Sequence, residues 1–579
     1  MPTMTGTSGN DTLTGTDSDD VILGGLGADV LNGAGGDDVL DGGNGGEFDI
    51  GGAFRGGDFV DYRLAPSNVT VSLAVTGPQN TGWGTDTLTG IESVYGSAFN
   101  DVVNGDSERN YLFGFEGDDR LDGLAGNDYL VGGLGNDLVV GGEGDDNLEG
   151  SDGSDALVGG NGSDILNGGM GADTMTSGAG QDLFFYLSVA ESQASTGIDT
   201  ITDFQSRFDQ ISLTVLTFTS ISLVNLGAST YLFADGPTGP FQLLVLDRTV
   251  AGTDVRYNGN FGIFMLGGDL NDALRGTTFA DPIVGNGGND VITGGGGADA
   301  IAGGAGNDFF RYESPTHSSQ ANGFDNLYDF TTGEDVIDLS AMAALTVTVN
   351  SISIIRTDNG SSFVFAETSQ GSFLTTAAFR AVNASDISYA GTFGVYMIGS
   401  NNAETLIGTT RNDPLDGGGG NDILIGGMGA DGLVGGEGAD VFRYASVADS
   451  TLAAGSADII RDLVSGLDKI DLRDVRTGAR DSFGIAYIDT SSFLFVDLGG
   501  DGVNEMLIQF TNVRLTASDI LWTPASLGAE PVIKAVGPEI LPALEDIDAE
   551  EAMCASGRFM IDLDFGVGPD LRHSQDWFL

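Results

Sequence analysis

Apolar residues recur at every ninth position through much of this chain, and an acidic residue stands two positions before nearly all of them. In the phrase GGLGNDLVV, residues 132–140, the sixth place is Asp137 and the eighth is Val139, while glycine fills the first, second and fourth places. A period of nine fits neither a heptad nor an amphipathic helix, and glycine at this density destabilises any helix. The pattern therefore predicts a solenoid in which short strands alternate with tight glycine turns.

The aspartates at the sixth place are the candidate metal ligands. Glycine permits positive φ, so backbone carbonyls can turn towards the carboxylate, and a cage of oxygens is what Ca²⁺ prefers. Without a cation, carboxylates one strand spacing apart (about 4.8 Å) would repel each other, so folding and Ca²⁺ binding should be one event. The expected ligands are Asp11, Asp20, Asp29 and Asp38 in the first block; Asp101, Asp119, Asp128, Asp137, Asp146, Asp155, Asp164, Asp173 and Asp182 in the second; Asp272, Asp281, Asp290, Asp299 and Asp308 in the third; and Asp413, Asp422, Asp431 and Asp440 in the fourth. Glu47, Asn110 and Glu404 replace aspartate at three further sixth places, which puts those sites in doubt.

Composition agrees with a core that depends on neutralised charge. The 579 residues carry 84 acidic and 22 basic side chains, a formal net charge of −62, while 40% of residues are apolar. This charge excludes nucleic acid and anionic membranes as partners. The eighth-place side chains, such as Leu130 and Val139, are expected to form a thin apolar core between two sheets.

Three of the four blocks are followed by a common text, which begins DLFFYLSVAES (182–192), DFFRYESPTHS (308–318) and DVFRYASVADS (440–450). A solenoid end exposes apolar core and unpaired backbone, so a β-rich cap is required there. The predicted plugs are Phe184, Tyr186, Phe310, Tyr312, Phe442 and Tyr444. A pair of aspartates also follows each block at a matching distance: Asp199 and Asp203, Asp325 and Asp329, Asp458 and Asp462.

The repeat resembles the hemolysin-type, or RTX, calcium-binding nonapeptide, which GGLGNDLVV (132–140) and GGNGSDILN (159–167) match at every defining place. The resemblance implies an all-β fold of parallel β-roll blocks, with two phrases per coil and Ca²⁺ in the turns. The caps resemble the C-terminal domain of serralysin-type metalloproteases, which implies calcium-dependent folding and type I secretion. The terminal DWFL (576–579) is similar to the end of the uncleaved export signal in such proteins.

These features divide the chain into nine parts. The β-roll blocks are expected at 6–50, 96–185, 267–311 and 399–443, and the caps at 186–266, 312–398 and 444–525. A β-rich spacer is expected at 51–95, and a tail that holds a possible secretion signal at 526–579.

No catalytic site is predicted. A serralysin holds Zn²⁺ with H-E-x-x-H, whereas this chain has only two histidines, His317 and His573, far apart in sequence. There is no G-x-S-x-G elbow either. The sequence therefore predicts a protein without enzymatic activity.

The leading hypothesis is a secreted calcium-binding protein of a Gram-negative cell that is exported by the type I machinery and folds on Ca²⁺ outside. The N-terminus lacks a Sec signal peptide, and no apolar run approaches the roughly 20 residues of a membrane span. Its end use would be structural or adhesive, through self-association or surface contacts. The alternatives are an accessory module that binds acidic polysaccharide through Ca²⁺, or an enzyme related to RTX hydrolases with an unrecognised site in 186–266 or in the tail.

Overall fold

The computed structural model describes residues 1–43, 57–453, 455–476, 478, 481–488 and 490–522. Two compact units divide the chain, Met1–Gly391 and Thr392–Leu579. Glu47, His573 and the predicted tail at 526–579 lie outside the described residues. Among the described residues, no helix is long and apolar enough to cross a membrane.

The first roll alternates strands and turns as the nine-residue period predicts. Its strands, with those of the predicted spacer, are β1 (Thr3–Thr5), β2 (Thr12–Thr14), β3 (Val21–Gly25), β4 (Val30–Asn32), β5 (Val39–Gly43), β6 (Phe59–Asp61), β7 (Thr70–Ser72), β8 (Gln79–Asn80), β9 (Thr85–Thr89) and β10 (Ser93–Tyr95). The strands of the spacer pair with those of the rolls: β6 pairs with both β4 and β10, β9 pairs with β5, and β7 pairs with the first strand of the next block, β11 (Val102–Asn104). The spacer strands continue the sheets of the roll.

The second roll is the most regular part of the molecule. Its strands are β11 (Val102–Asn104), β12 (Tyr111–Glu116), β13 (Arg120–Ala125), β14 (Tyr129–Leu134), β15 (Leu138–Glu143), β16 (Asn147–Asp152), β17 (Ala156–Asn161), β18 (Ile165–Met170), β19 (Thr174–Ala179) and β20 (Leu183–Phe185). Each strand pairs in parallel with the second strand after it, so that Leu130 lies beside Leu148 and Val139 beside Leu157. Two phrases therefore form one coil, and the predicted parallel β-roll is confirmed.

The core is the single file of eighth-place side chains between the two sheets. Leu121, Leu130, Val139 and Leu148 are each 0% exposed, whereas the side chains on either side of them face outward. Alternation with a period of two along each strand explains this, since successive side chains point to opposite faces. The expected apolar core is confirmed.

The first cap closes the second roll with an antiparallel meander. Its strands are β21 (Asp199–Ile201), β22 (Gln210–Thr217), β23 (Ser220–Leu226), β24 (Ser229–Gly236), β25 (Gly239–Val245) and β26 (Val255–Asn258). β24 pairs with β23 and β25, and β21 joins the cap to the roll by pairing with β19 and β25. Tyr186, 1% exposed, packs edge-on against Phe241 with ring centroids 4.8 Å apart.

Two shorter modules repeat this plan. The first contains β27 (Phe264–Leu266), β28 (Ala273–Arg275), β29 (Pro282–Val284), β30 (Val291–Thr293), β31 (Ala300–Ala302), β32 (Phe309–Arg311), β33 (Asp325–Leu327), β34 (Val336–Asp338), α1 (Ala341–Ala344), β35 (Val349–Arg356), β36 (Ser362–Thr368), β37 (Gly371–Ala377) and β38 (Ile387–Ser388). The second contains β39 (Tyr396–Ile398), β40 (Thr405–Ile407), β41 (Pro414–Asp416), β42 (Ile423–Ile425), β43 (Gly432–Val434), β44 (Val441–Arg443), β45 (Asp458–Ile460), β46 (Lys469–Asp471), β47 (Ser482–Ile488), β48 (Ser491–Asp497), β49 (Met506–Phe510) and β50 (Ile520–Leu521). Short 3₁₀ turns occur at Val189–Glu191, Gly252–Asp254, Ala384–Asp386 and Ala517–Asp519. All six predicted aromatic plugs are buried, which confirms their role in the core.

Candidate metal centre

The sixth-place aspartates form two columns, one along each edge of the roll. In each column the backbone N–H of one aspartate donates a hydrogen bond to Oδ1 of the aspartate 18 residues later: Asp119 to Asp137 at 2.7 Å, and Asp128 to Asp146 at 2.8 Å. The same bond occurs in the later blocks, for example from Asp290 to Asp308 at 2.9 Å. We call these rows the carboxylate columns. They place the predicted ligands of successive coils next to each other.

In most aspartates of the columns, the second carboxylate oxygen, Oδ2, has no hydrogen-bond partner. It is buried, so the carboxylate has lost its water without gaining a donor. A buried anionic oxygen without a partner is strongly unfavourable unless a cation neutralises it. The residues with such an oxygen are Asp29, Asp38, Asp119, Asp128, Asp137, Asp146, Asp155, Asp164, Asp173, Asp182, Asp290, Asp299, Asp308, Asp431 and Asp440.

Backbone carbonyls converge on the same places because the first-place residue is glycine. A Cβ on Gly141 would overlap Oδ2 of Asp146 and would lie 2.7 Å from the carbonyl oxygen of Gly159 in the next coil. Fourth-place glycines complete the turn. Gly144, for example, has a φ of 124°, in a region of backbone conformation that residues other than glycine rarely adopt. Each turn thus brings together a carboxylate oxygen and backbone carbonyls, a set of hard donors that suits Ca²⁺.

Side chains alone do not make the site. Within the described ranges, no group of three or more Asp, Glu, His or Cys side chains converges closely enough to hold a metal ion. A cation in the columns would therefore take most of its ligands from the backbone. This donor set fits Ca²⁺, which accepts carbonyl oxygens in flexible geometry, and does not fit Zn²⁺, which takes histidine and cysteine.

A second set of sixth-place residues lies in the first phrases of each block. In these residues Oδ2 accepts a hydrogen bond from a backbone N–H of the protein. In Asp101, Oδ2 accepts the N–H of Ser97 while Oδ1 accepts the Ser97 hydroxyl and the N–H of Val69. In Asp413, Oδ2 accepts both the N–H and the hydroxyl of Thr409. The N–H four residues earlier is donated in the same way to one carboxylate oxygen of Asp11, Asp20, Asp272 and Asp281. In Asp20 the other oxygen, Oδ1, is buried without a hydrogen-bond partner. Asn110 and Glu404, two of the departures from aspartate, accept this N–H as well.

Burial raises the pKa of the column carboxyls, since the charged form loses its hydration. It raises the pKa to about 7 for Asp119, Asp128, Asp155 and Asp164. It raises the pKa to about 6 for Asp137, Asp146 and Asp173. These carboxyls therefore bind a proton more tightly than an exposed aspartate does, and a proton would compete with a metal cation for them.

The caps supply acidic residues to which the sequence analysis assigned no role. Asp199 continues one column, because Oδ1 accepts the N–H of Asp173 at 3.0 Å. Asp209 closes the other column: it accepts the N–H of Asp182 at 3.3 Å and that of Gln205 at 2.6 Å. The later caps repeat both arrangements with Asp325 and Asp335, and with Asp458 and Asp468.

A third cap aspartate binds the last glycine turn of the roll. Asp329 accepts the N–H groups of Gly303 and Gly304, both at 2.8 Å. Asp203 and Asp462 make the equivalent pairs of bonds. The matching distance of these aspartates from each block in the sequence was the signal that could have identified them.

Family models match most of the repeats and caps. The model described as "RTX calcium-binding nonapeptide repeat (4 copies)" matches within residues 14–46 and 86–184, and "Peptidase M10 serralysin C terminal" matches 268–407 and 413–522. The search of curated proteins found no match. Repeats of this kind bind Ca²⁺ at multiple sites, and both modules are non-catalytic parts of the proteins that carry them.

Two solved structures show local likeness. An AlgE6R3 subunit of the Azotobacter vinelandii mannuronan C5-epimerase is 27% identical, with 22% of this chain and 77% of that one covered and a TM-score of 0.14. The extracellular lipase LipA from Serratia marcescens is 16% identical, with 45% of this chain and 40% of that one covered and a TM-score of 0.13.

Proposed function

We propose that this chain, which carries RTX calcium-binding nonapeptide repeats and serralysin C-terminal modules, is an extracellular structural or adhesive protein whose rolls fold on Ca²⁺ after type I export. The observation that carries the proposal is the buried, partnerless Oδ2 in the carboxylate columns. A chain with a net charge of −62 gains compactness only when these oxygens are neutralised. Where Ca²⁺ is scarce, as in the cytosol, the columns keep the chain unfolded and fit for export.

The proposed ligands are the column residues with a free Oδ2, from Asp29 to Asp440, together with the carbonyls of the neighbouring turns. The bound cation supplies positive charge and accepts oxygen ligands from adjacent coils. The chain's own residues hold the carboxylate in place, because Oδ1 is fixed by the N–H of the aspartate one coil earlier. Asp11, Asp101, Asp272, Asp281 and Asp413 already receive protein donors, and we propose that they act as hydrogen-bonded turn ends. Asp20 also receives a donor but keeps Oδ1 buried without a partner, so we propose it as a ligand.

The test is a Ca²⁺ titration of the full chain after removal of metal with EDTA, followed by far-ultraviolet circular dichroism and limited proteolysis. We expect a cooperative gain of β signal and of protease resistance. Mg²⁺ at the same concentration should give little of either, since its strict octahedral geometry does not suit carbonyl cages. If the metal-free chain is as compact and resistant as the Ca²⁺-loaded chain, the proposal is wrong.

The extracellular role has its own experiment. Expression in a Gram-negative host with and without a type I exporter should place the protein in the medium or on the cell surface only when the exporter is present. Washing intact cells with EDTA should then release the surface-bound fraction, because the rolls that make the contacts unfold. Retention of that fraction through the wash would count against a calcium-dependent structural role.

A further inference from the structure

Three arginines line a groove at the junction of the first cap and the following sheet, within Met1–Gly391. Arg207 lies in the turn before β22, Arg275 at the end of β28 and Arg311 at the end of β32. The groove has a volume of about 710 Å³, within the range of about 300–1,000 Å³ that small-molecule sites occupy. Basic residues number only 22 against 84 acidic ones in this chain, whereas the three guanidinium groups of this groove are matched by three carboxylates, those of Asp254, Glu313 and Asp338. The groove therefore lacks the acidic excess of the chain as a whole.

The carboxylates in this groove are already held by protein donors. Glu313 receives two hydrogen bonds from the Arg275 guanidinium, at 2.9 and 2.7 Å. Asp254 accepts the Arg207 backbone N–H at 3.1 Å through Oδ1, and the Ser206 hydroxyl at 2.6 Å through Oδ2. Asp338, the third carboxylate of the lining, accepts from the Arg311 Nε and from the N–H and the hydroxyl of Ser340. All three acids therefore have protein donors.

Most of the polar side-chain atoms of this groove that lack a hydrogen-bond partner in the protein are donors. In the part of the chain that the structure describes, the Arg207 guanidinium makes no hydrogen bond, and it interacts with Glu313 only through longer-range charge attraction. Arg311 uses only Nε, which donates to Oδ2 of Asp338 at 3.2 Å, and its side chain is 37% exposed. The groove also presents one acceptor without a donor, the buried Oε1 of Gln210.

We propose that this groove binds a hydroxylated oxyanion, a sugar that carries a carboxylate or a phosphate ester. The planar forks of Arg207 and Arg311 match the paired oxygens of either anion, and such bonds are stronger than neutral ones. A ligand hydroxyl supplies the donor that Oε1 of Gln210 lacks. The lining of the groove includes none of the column aspartates, so this proposal can fail while the calcium proposal stands.

The first experiment is isothermal titration of the full, Ca²⁺-loaded chain with four probes: glucuronate, glucose 6-phosphate, glucose and inorganic sulfate. We expect saturable binding of glucuronate or glucose 6-phosphate, and the stronger of the two identifies the anion. Glucose and sulfate should each bind at least about tenfold more weakly. Glucose lacks the anion that the arginines would bind, and sulfate lacks the sugar hydroxyls. Equal binding of sulfate, or no binding of either sugar anion, overturns the proposal.

The second experiment uses variants with matched charge changes. Arg207→Gln and Arg311→Gln should each lower the affinity for the sugar anion by about tenfold or more. Arg248→Gln is the control, since Arg248 lies in the same cap, is exposed, and only donates to the carbonyl of Asp247. Circular dichroism with Ca²⁺ verifies that each variant folds. If the folded Arg207→Gln and Arg248→Gln variants bind as well as each other, the groove is not the site.

Discussion

The backbone N–H of Asp137 donates a hydrogen bond to Oδ1 of Asp155, 2.8 Å away and one coil further along the roll. The same carboxyl group leaves Oδ2 buried without a partner. One oxygen of such a carboxylate therefore joins consecutive coils, while the other is buried without a hydrogen-bond partner. If Ca²⁺ binds this second oxygen, as we propose, strand stacking and metal binding occur together.

The first prediction separates column aspartates from entry aspartates. Asp137→Asn keeps an oxygen at the Oδ1 position and removes the anionic Oδ2, so the Ca²⁺ concentration at the folding midpoint should rise on the order of tenfold. Circular dichroism during a Ca²⁺ titration measures this midpoint, and equilibrium dialysis measures the loss of bound Ca²⁺.

Asp101→Asn is the matched control in the same column. Both of its oxygens accept protein donors, so the substitution should lower the thermal midpoint without loss of bound Ca²⁺. If Asp101→Asn removes as much Ca²⁺ as Asp137→Asn does, the division into column and entry aspartates is wrong.

The second prediction concerns pH. Burial raises the pKa of Asp119, Asp128 and Asp155 to about 7, from an ordinary value of about 4 in the unfolded chain. A raised carboxyl pKa stabilises the folded state below the unfolded pKa, and this stabilisation is lost as the pH rises through the folded pKa. In EDTA, circular dichroism should therefore show more β structure at pH 5 than at pH 7.5.

Protons and Ca²⁺ compete for the same oxygens, so the Ca²⁺ midpoint should rise as the pH falls from 7.5 to 5. A metal-free chain that is more stable at pH 7.5 than at pH 5 would contradict this account of the columns.

The third prediction tests the close approach at first-place glycines. Gly141→Ala should destabilise the second roll by about 1–3 kcal/mol, because its Cβ would overlap Oδ2 of Asp146 and crowd the carbonyl of Gly159. It should also weaken Ca²⁺ binding, since both oxygens belong to the proposed site.

Gly287→Ala is the control, because the nearest atom to its Cβ would be the Cα of Asp269 at 3.6 Å, an ordinary contact. Urea unfolding in saturating Ca²⁺ compares the two variants. Equal losses of stability would show that crowding at the first place is not the cause.

The fourth prediction concerns the caps. Asp329→Ala removes the acceptor of two N–H groups, those of Gly303 and Gly304. It should lower the free energy of unfolding by about 2 kcal/mol. The number of Ca²⁺ ions bound per chain at saturation should stay the same, because Asp329 lies outside the columns. Hydrogen exchange followed by mass spectrometry should show faster exchange in the turn at 303–304, and unchanged exchange there would contradict the assignment.

Much of the fold follows from the sequence because the nine-residue period is local. Glycine at fixed places selects the turns, and alternation along each strand decides that Leu130 and Val139 point inward. The parallel β-roll, the core and the aromatic plugs could be predicted for this reason. Calcium as the cofactor followed from the pairing of aspartate with glycine turns in the RTX pattern.

The tertiary structure alone decided which aspartates are available to a cation. Asp101 and Asp137 hold the same place in their phrases, yet only the stacking of coils and the entry turn at Ser97 give Asp101 a full set of donors. It also decided that the spacer strands β6 and β9 continue the sheets, that Asp199 and Asp209 end the columns, and that Asp203 binds the last turn of the roll. Local pattern fixes the shape of one phrase, whereas hydrogen-bond partners one coil away depend on pairing between residues that are distant in the chain.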